Sequence, residues 1–240
     1  MAQLRHLTRA PITEAVIDLR SRLDSGFDVN QFRVLKDGVG YEDPKEINVF
    51  EFGMHLQPGK SPESHQVNHG VIGWRFTSKD GKQVVQFRKD GFTFSRLAPY
   101  THWDEVFAEA SRLYRLYAEV AAPEEVTRPA VRYINRLLFP EAEVGDFSPF
   151  LAAPPVFPRG EKVFLTGFLN QIQVQDPDSL ICATIIQTVQ NGATEPGQVP
   201  VILDLDVYDA RSCPPTPEVV LPRFAALREA KIGIFWKYYG

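Results

Sequence analysis

Alternation of apolar and polar residues dominates the first half of the chain and predicts β-strands. After Pro11, segment 12–20 places small and aliphatic side chains on one face and Glu14, Asp18 and Arg20 on the other. A period of two residues is typical of a strand with one buried face. The same alternation recurs at 47–56, 71–77, 84–88 and 92–97. These segments predict a meander of four antiparallel strands after the first strand.

Turn-forming residues separate the strands of this meander. Asp80-Gly81 and Asp90-Gly91 tolerate positive φ, so we predict a two-residue type I′ turn at each pair. A short helix is expected at 28–35, where apolar residues recur at helical spacing. The segment 58–70 opens with Pro and Gly, which predicts a loop between the first two strands of the meander.

A long helix is predicted directly after the meander. Its apolar residues are separated by steps of four, three, four and three, which is one helical face. They are Trp103, Phe107, Ala110, Tyr114 and Tyr117. Thr101 with Asp104 three positions later resembles a capping box, and Pro123 ends the helix.

The second half follows the same order of elements. Strand 127–139 is followed by one helical turn at 147–151, by strands 164–175, 180–190 and 199–208, and by a helix from Val219. The predicted fold class is therefore α+β, with duplicated strand–helix–antiparallel strands–helix units at 1–122 and 123–240. We expect them to form one curved antiparallel sheet backed by two long helices. This order is similar to the TATA-box-binding-protein-like and GyrI-like folds.

Six short motifs carry a resemblance to a protein family. They are Ala-Pro-Ile-Thr-Glu-Ala at 10–15, Gly-Trp-Arg-Phe at 73–76, Phe-Thr-Phe-Ser-Arg-Leu at 92–97, Val-Arg-Tyr-Ile-Asn-Arg at 131–136, Leu-Asp-Leu-Asp at 203–206 and Leu-Arg-Glu-Ala-Lys at 227–231. Together they resemble a sporadically distributed, uncharacterised family of bacterial and archaeal proteins of about this length. Its patchy occurrence implies an accessory gene, as in toxin–antitoxin and phage-defence systems.

Composition and charge exclude several classes of protein. The 240 residues are 44% hydrophobic and carry a net charge of −4, which does not suit strong non-specific binding to nucleic acid or anionic membranes. Two cysteines are too few for a disulfide scaffold or a four-cysteine zinc site. No apolar run is long enough for a membrane span. We therefore expect a cytoplasmic protein.

Charged residues on the opening strand of each half are the first candidate site. Glu14 and Asp18 are four apart on one face, and Arg132 and Arg136 are four apart on the matching strand. If these strands pair, the spacing predicts two acid–arginine pairs across them. Three interpretations are open. The pairs could be an ion-pair ladder that sets the strand register, a site for a ligand or partner, or part of a catalytic site. The planar guanidinium group of arginine can donate two parallel hydrogen bonds to a carboxylate or a phosphate group, which favours the ligand-site interpretation.

A polar sheet face is the second candidate site. Asp204 and Asp206 share one face of their strand, and a metal site would require a third ligand. The alternative interpretation is a solvated strand face. The residues expected on the face away from the helices are Glu51, His55, Arg75, Gln86, Arg88, Gln171, Gln173, Gln187, Asp204 and Asp206. Few aromatic residues for stacking accompany them, which disfavours nucleic acid.

Motifs for cofactors and catalysis are missing from the sequence. There is no glycine-rich phosphate loop and no Gly-x-Ser-x-Gly, so we predict no cofactor and favour a function other than catalysis. His65 and His69 have zinc-compatible spacing only on a helix, and they fall in the predicted loop. Cys182 lies in an apolar strand as expected for a packed thiol.

The leading functional hypothesis is a recognition module for another protein, antitoxin-like or a phage-defence accessory subunit. Its site would be the polar sheet face and the strand around Arg132–Arg136. One alternative is a small-molecule sensor that uses the groove between the halves, with Arg132 and Asn135 as polar anchors. A further alternative is a metal-dependent enzyme that acts through Glu14, Asp204 and Asp206.

Overall fold

The computed structural model describes residues 10–55, 63–140, 147–148, 151, 154–156, 165–189 and 196–239. The strands are β1 Ile12–Arg22, β2 Lys45–His55, β3 Glu63–Thr77, β4 Gln83–Arg88, β5 Gly91–Leu97, β6 Glu125–Pro140, β7 Leu169–Gln175, β8 Ile181–Val189 and β9 Gln198–Asp209. The helices are a 3₁₀ helix at Val29–Leu35, α1 Lys36–Val39, α2 Trp103–Ala121, α3 Pro217–Val220 and α4 Arg223–Tyr239.

All nine strands form one antiparallel sheet in the order β2-β3-β4-β5-β1-β6-β9-β8-β7. The opening strands of the two predicted halves, β1 and β6, are neighbours in the middle of the sheet. On either side lies the last strand of the same half, β5 beside β1 and β9 beside β6. The α+β class and the antiparallel sheet predicted from the sequence are confirmed.

The main hydrophobic core lies between the sheet and α2. Tyr114 and Tyr117 of α2 are fully buried, and the Tyr117 ring stacks 5.6 Å from Phe32 of the 3₁₀ helix. The Tyr117 hydroxyl lies 2.6 Å from Ser21 Oγ on β1. Apolar residues of β6, β9 and α4 belong to the same cluster, so this core includes residues from both halves of the chain.

A second apolar cluster lies farther along β6, β8 and β9. Leu137, Leu203 and Leu205 are buried there against Phe235 of α4. Phe147 and Leu151 join it, and a 2.9 Å bond from the Leu151 N–H to the Phe147 carbonyl closes the predicted helical turn. Ile234 packs against both clusters, so α4 connects them.

The prediction of two-residue type I′ turns at the Asp-Gly pairs is wrong. Between β3 and β4, the Gly81 N–H donates to Ser78 and the Ser78 N–H donates to Gln83, so the loop is longer. Only Gly81 has a positive φ there, at 70°. Between β4 and β5, Arg88 pairs with Gly91, so the turn residues are Lys89 and Asp90 and the glycine begins β5.

The predicted loop at 58–70 is also only partly correct, because β3 begins at Glu63 and includes positions 65 and 69. The segment 56–62 and the start of the predicted strand 164–175 lie outside the described residues. The cap of α2 is His102 rather than Thr101, since the His102 side chain accepts a bond from the Glu105 N–H. The final helix is divided between α3 and α4 around Leu221 and Pro222.

Candidate functional site

A network of paired charges lies on the outer face of the sheet, which we define as the face opposite α2 and α4. Alternation along the central strands places these side chains there, because Ala15, Ile17 and Leu19 point into the core. The outer-face network consists of Asp18, Arg20, Arg88, Asp90, Arg128, Arg132, Asp204 and Asp206. Four arginines and four aspartates balance its formal charge.

Asp18 lies at the centre of this network. Its carboxylate accepts a 2.6 Å hydrogen bond from the Thr93 hydroxyl on β5. Guanidinium groups of three strands surround it: Arg20 on β1 at 3.4 Å, Arg88 on β4 at 3.7 Å and Arg128 on β6 at 3.7 Å. One carboxylate therefore connects β1, β4, β5 and β6 across the middle of the sheet.

Arg128 extends the network into the second half. It donates a 2.6 Å hydrogen bond to Asp206, and its guanidinium lies 4.0 Å from the centre of the Tyr208 ring. Burial raises the pKa of Asp206 above its ordinary value, although Arg128 opposes this. Because Arg128 covers one face of Tyr208, that ring is a poor platform for stacking a nucleic-acid base.

Arg132, which pairs with Asp204, has the most exposed side chain of the four arginines in the network. The guanidinium donates to both carboxylate oxygens, from Nε at 2.9 Å and from Nη2 at 2.5 Å. This hydrogen bonding raises the pKa of the Arg132 guanidinium. The Arg132 side chain is 45% exposed while the Asp204 side chain is 10% exposed. A two-pronged pair of this kind holds the guanidinium plane in a fixed orientation toward solvent.

The register of β1 and β6 does not place Glu14 or Asp18 opposite Arg132, as the predicted pairs require. The register of β1 and β6 places Glu14 opposite Ile134 and Val16 opposite Arg132. Arg132 instead pairs with Asp204 of β9, and Asp18 pairs with Arg128. Arg136 lies opposite Ile202 of β9. The acids and arginines are therefore matched across β6 and β9 more than across β1 and β6.

The structure separates two residues that the sequence placed in one site. Arg132 lies on the outer face, whereas Asn135 is 2% exposed on the helix side and donates to the main-chain carbonyls of Tyr133 and Leu203. Gln187 is likewise buried on the helix side, opposite Leu203. The groove anchored by Arg132 and Asn135 is therefore contradicted.

Other predicted outer-face residues take their expected places. Arg75 is exposed, and it lies in register with Gln86, which is opposite Thr93 of the network. Gln171 and Gln173 lie on the exposed strand β7. The side chains at 51, 55, 65 and 69 lie outside the described part of the structure.

The predicted metal ligands and the two cysteines were compared with what a metal site or a reactive thiolate requires. Within the described ranges, no three His, Cys, Asp or Glu side chains gather as a metal site would require. Asp204 and Asp206 are instead held by Arg132 and Arg128. Cys213 is buried, and burial raises the pKa of its thiol, which disfavours the reactive thiolate.

Arg20, Asp90 and Arg128 belong to the network although they were not predicted as site residues. Arg20 and Arg128 were identifiable as outward positions of β1 and β6, since each is two or four residues from a recognised charge. Asp90 was assigned to turn formation because of its Asp-Gly pair. It contacts Arg20 and lies 2.8 Å from Arg88 Nε.

Comparisons of the chain with protein-family models, curated proteins and solved structures give no significant match. No helix in the described residues has the length and apolar character needed to cross a membrane.

Proposed function

We propose that this protein is a recognition module that binds another protein across the outer face of its sheet. The observation that carries the proposal is the Arg132–Asp204 pair, a bidentate ion pair whose arginine remains half exposed. Its guanidinium plane is already oriented, so a partner would lose little conformational entropy in engaging it. Arginine is enriched at the energetic centres of protein interfaces.

The surroundings of this pair support a protein partner over a nucleic acid. The network carries equal numbers of arginines and aspartates, so it lacks the excess positive charge that phosphate backbones require. A balanced pattern of charges favours a partner surface that alternates in sign. An antitoxin-like or phage-defence accessory role is part of the proposal, and it rests on the resemblance of the sequence motifs alone.

The first experiment purifies the tagged chain from its own host at native expression and measures its mass by native mass spectrometry. A stoichiometric protein partner is the expected result. A bare monomer, a homodimer, or a species carrying only a small-molecule mass would contradict the proposal.

Two variants locate the interface. Arg132→Lys keeps the positive charge beside Asp204 but loses the guanidinium fork, so we expect a folded protein with weaker partner binding. Arg75→Glu alters an exposed outer-face position and should change stability by no more than about 0.5 kcal/mol while reducing partner recovery. Lys237→Glu makes the same charge change on α4 and serves as the control. Equal recovery with all three variants would place the interface elsewhere.

We further propose that the two halves are copies of one unit, as in the TATA-box-binding-protein-like and GyrI-like folds, with the sheet curved around its middle. In support, each half has its last strand beside its first strand and a long helix after that last strand. Among the described residues the halves differ in strand number, because the 3₁₀ helix and β2 to β5 follow β1 while β7 to β9 follow β6.

A further inference from the structure

Arg228 and Lys231, two cations of α4, lie on the helix side of the sheet beside buried aromatic residues. Arg228 and Lys231 are both half-buried. Within the part of the chain that the structure describes, neither forms an ion pair with an aspartate or glutamate. Arg223 at the start of the same helix is different, since it pairs with Asp209. Half-buried cations without counter-charges are unfavourable, so their environment needs an explanation.

Each of these cations packs against the face of an aromatic ring. Lys231 Nζ lies 3.7 Å from the centre of the Tyr133 ring, and Arg228 Cζ lies 5.4 Å from the centre of the Trp103 ring. The two cations are three residues apart and therefore share a helix face. Burial, and then the neighbouring charge of Arg228, lower the pKa of Lys231 to about 8. Ring contacts only partly replace the water that these charges have lost.

A pair of tyrosine hydroxyls completes the cluster. Tyr100 and Tyr133 have their hydroxyl oxygens 3.3 Å apart, so one donates a hydrogen bond to the other. Tyr133 is 2% exposed and Tyr100 is half-buried. When Tyr133 donates to Tyr100, the Tyr100 O–H remains available as a donor to a ligand. Burial raises the pKa of the Tyr100 phenol; the hydrogen bond with Tyr133 and the nearby charge of Arg228 oppose this rise, while the charge of Asp104 adds to it.

We propose that Arg228, Lys231 and Tyr100 form a binding site for a phosphoryl group between the two halves of the chain. Tyr100 belongs to the first half, whereas both cations belong to the second. A phosphoryl dianion matches the two positive charges, and its three oxygens accept from a guanidinium, an ammonium and a phenol. A single carboxylate would leave one positive charge unbalanced. The site lies on the opposite side of the sheet from the outer-face network and is independent of the proposed protein partner.

Isothermal titration calorimetry of the whole chain with inorganic phosphate, at neutral pH and constant ionic strength, tests this site. We expect a dissociation constant on the order of 0.1–1 mM. Arg228→Gln and Lys231→Gln should each weaken binding about tenfold, and Tyr100→Phe about fivefold, because each removes one donor to the anion. Lys237→Gln makes the same charge change on the same helix and should leave binding unchanged.

A proton measurement separates this site from general attraction to a cationic helix. Slightly above pH 8, phosphate binding should draw a proton onto Lys231, so the binding heat of the wild type should depend on the ionisation enthalpy of the buffer. Lys231→Arg should keep binding within about threefold and lose this dependence, because arginine stays protonated. No binding at about 10 mM phosphate, or equal binding by Arg228→Gln and the Lys237→Gln control, would overturn the proposal.

Discussion

At the residue scale, Gly91 shows how one missing side chain allows two central strands to meet. Its φ is 148°, and a Cβ at this position would lie 2.0 Å from the Leu19 carbonyl oxygen of β1. Real Cβ atoms do not approach backbone this closely, so any side chain would push β5 away from β1. Arg20 and Arg88 lie opposite Gly91 on the two neighbouring strands. If the strands moved apart, these arginines would no longer both contact Asp90.

Substitution at two glycines separates steric from conformational cost. Gly91→Ala should lower the free energy of unfolding by about 3 kcal/mol, because the strands must move apart. Gly81→Ala should cost only about 1–2 kcal/mol, since its φ is positive but nothing lies within 4 Å. Urea unfolding followed by circular dichroism measures both. Equal losses would mean that β1 moves away from β5 easily.

Single residues also show where sequence reasoning succeeds and where it stops. The outward direction of Asp18, Arg132, Asp204 and Asp206 follows from strand alternation, which is local information. Their partners depend on the register between strands that are distant in sequence. The register that places Val16 opposite Arg132, with its irregularity between Ile12 and Glu14, cannot be read from the sequence of β1 or β6 alone.

At the scale of elements, ion pairs of Asp209 connect the end of β9 to the start of α4. Its side chain is 5% exposed and accepts hydrogen bonds from Arg211 Nε and Nη2, each at 2.8 Å, and from Arg223 Nη1 at 3.2 Å. Burial by itself would raise the pKa of Asp209, but Arg211 outweighs it and the pKa falls below the ordinary 3.8. The folded state therefore favours the ionised carboxylate.

Asp209→Asn should lower the free energy of unfolding at neutral pH by about 1–2 kcal/mol, because charge-assisted bonds to two arginines are lost. The ion-pair contribution is present above pH 3.8 and is lost as the pH falls through the lower folded pKa. Urea midpoints should therefore decrease more steeply below pH 3.8 in the wild type than in the variant. Asp178→Asn in the exposed turn after β7 is the control, and parallel acid curves for wild type and Asp209→Asn would refute the assignment.

The positions of helices and strands were predictable where a regular spacing of apolar residues ended at a residue that interrupts helices or strands. The strand at β6, the helix α2 and the 3₁₀ helix after Asp28 all appear close to their predicted bounds. The N-terminal part of β3 was missed because its polar residues lack alternation and follow a Pro-Gly segment. The cap of α2 was missed because histidine rarely fills that position, and here the side chain of His102 also pairs with Glu105 at 2.9 Å.

At the scale of the whole molecule, the described core does not divide where the sequence divides into halves. Phe92 and Tyr114 of the first half share one apolar cluster with Val131 and Phe224 of the second. The strand pair β1–β6 carries main-chain hydrogen bonds across the same boundary. Residues of both halves therefore support each other, and neither half buries its own apolar face alone.

Thermal unfolding should accordingly show one cooperative transition in differential scanning calorimetry. Leu205→Ala in the second half should cost about 2–5 kcal/mol, and Phe92→Leu in the first half should cost less, because leucine still fills much of the space that the ring occupied. Both variants should shift the same single peak. A second peak that responds to only one of them would show that the halves unfold separately.

The position of β1 has a consequence for synthesis on the ribosome. This strand is translated before both of its neighbours, because Ile17 pairs with Phe94 of β5 on one side and with Val131 of β6 on the other. Once β5 has emerged, β1 forms the border of a nascent half-sheet until β6 arrives. During that interval its Glu14, Asp18 and Arg20 side chains place charges on an unpaired border, which opposes pairing with strands of neighbouring nascent chains. Asp18 and Arg20, which later join strands of the finished sheet, thus also oppose incorrect pairing while the sheet is incomplete.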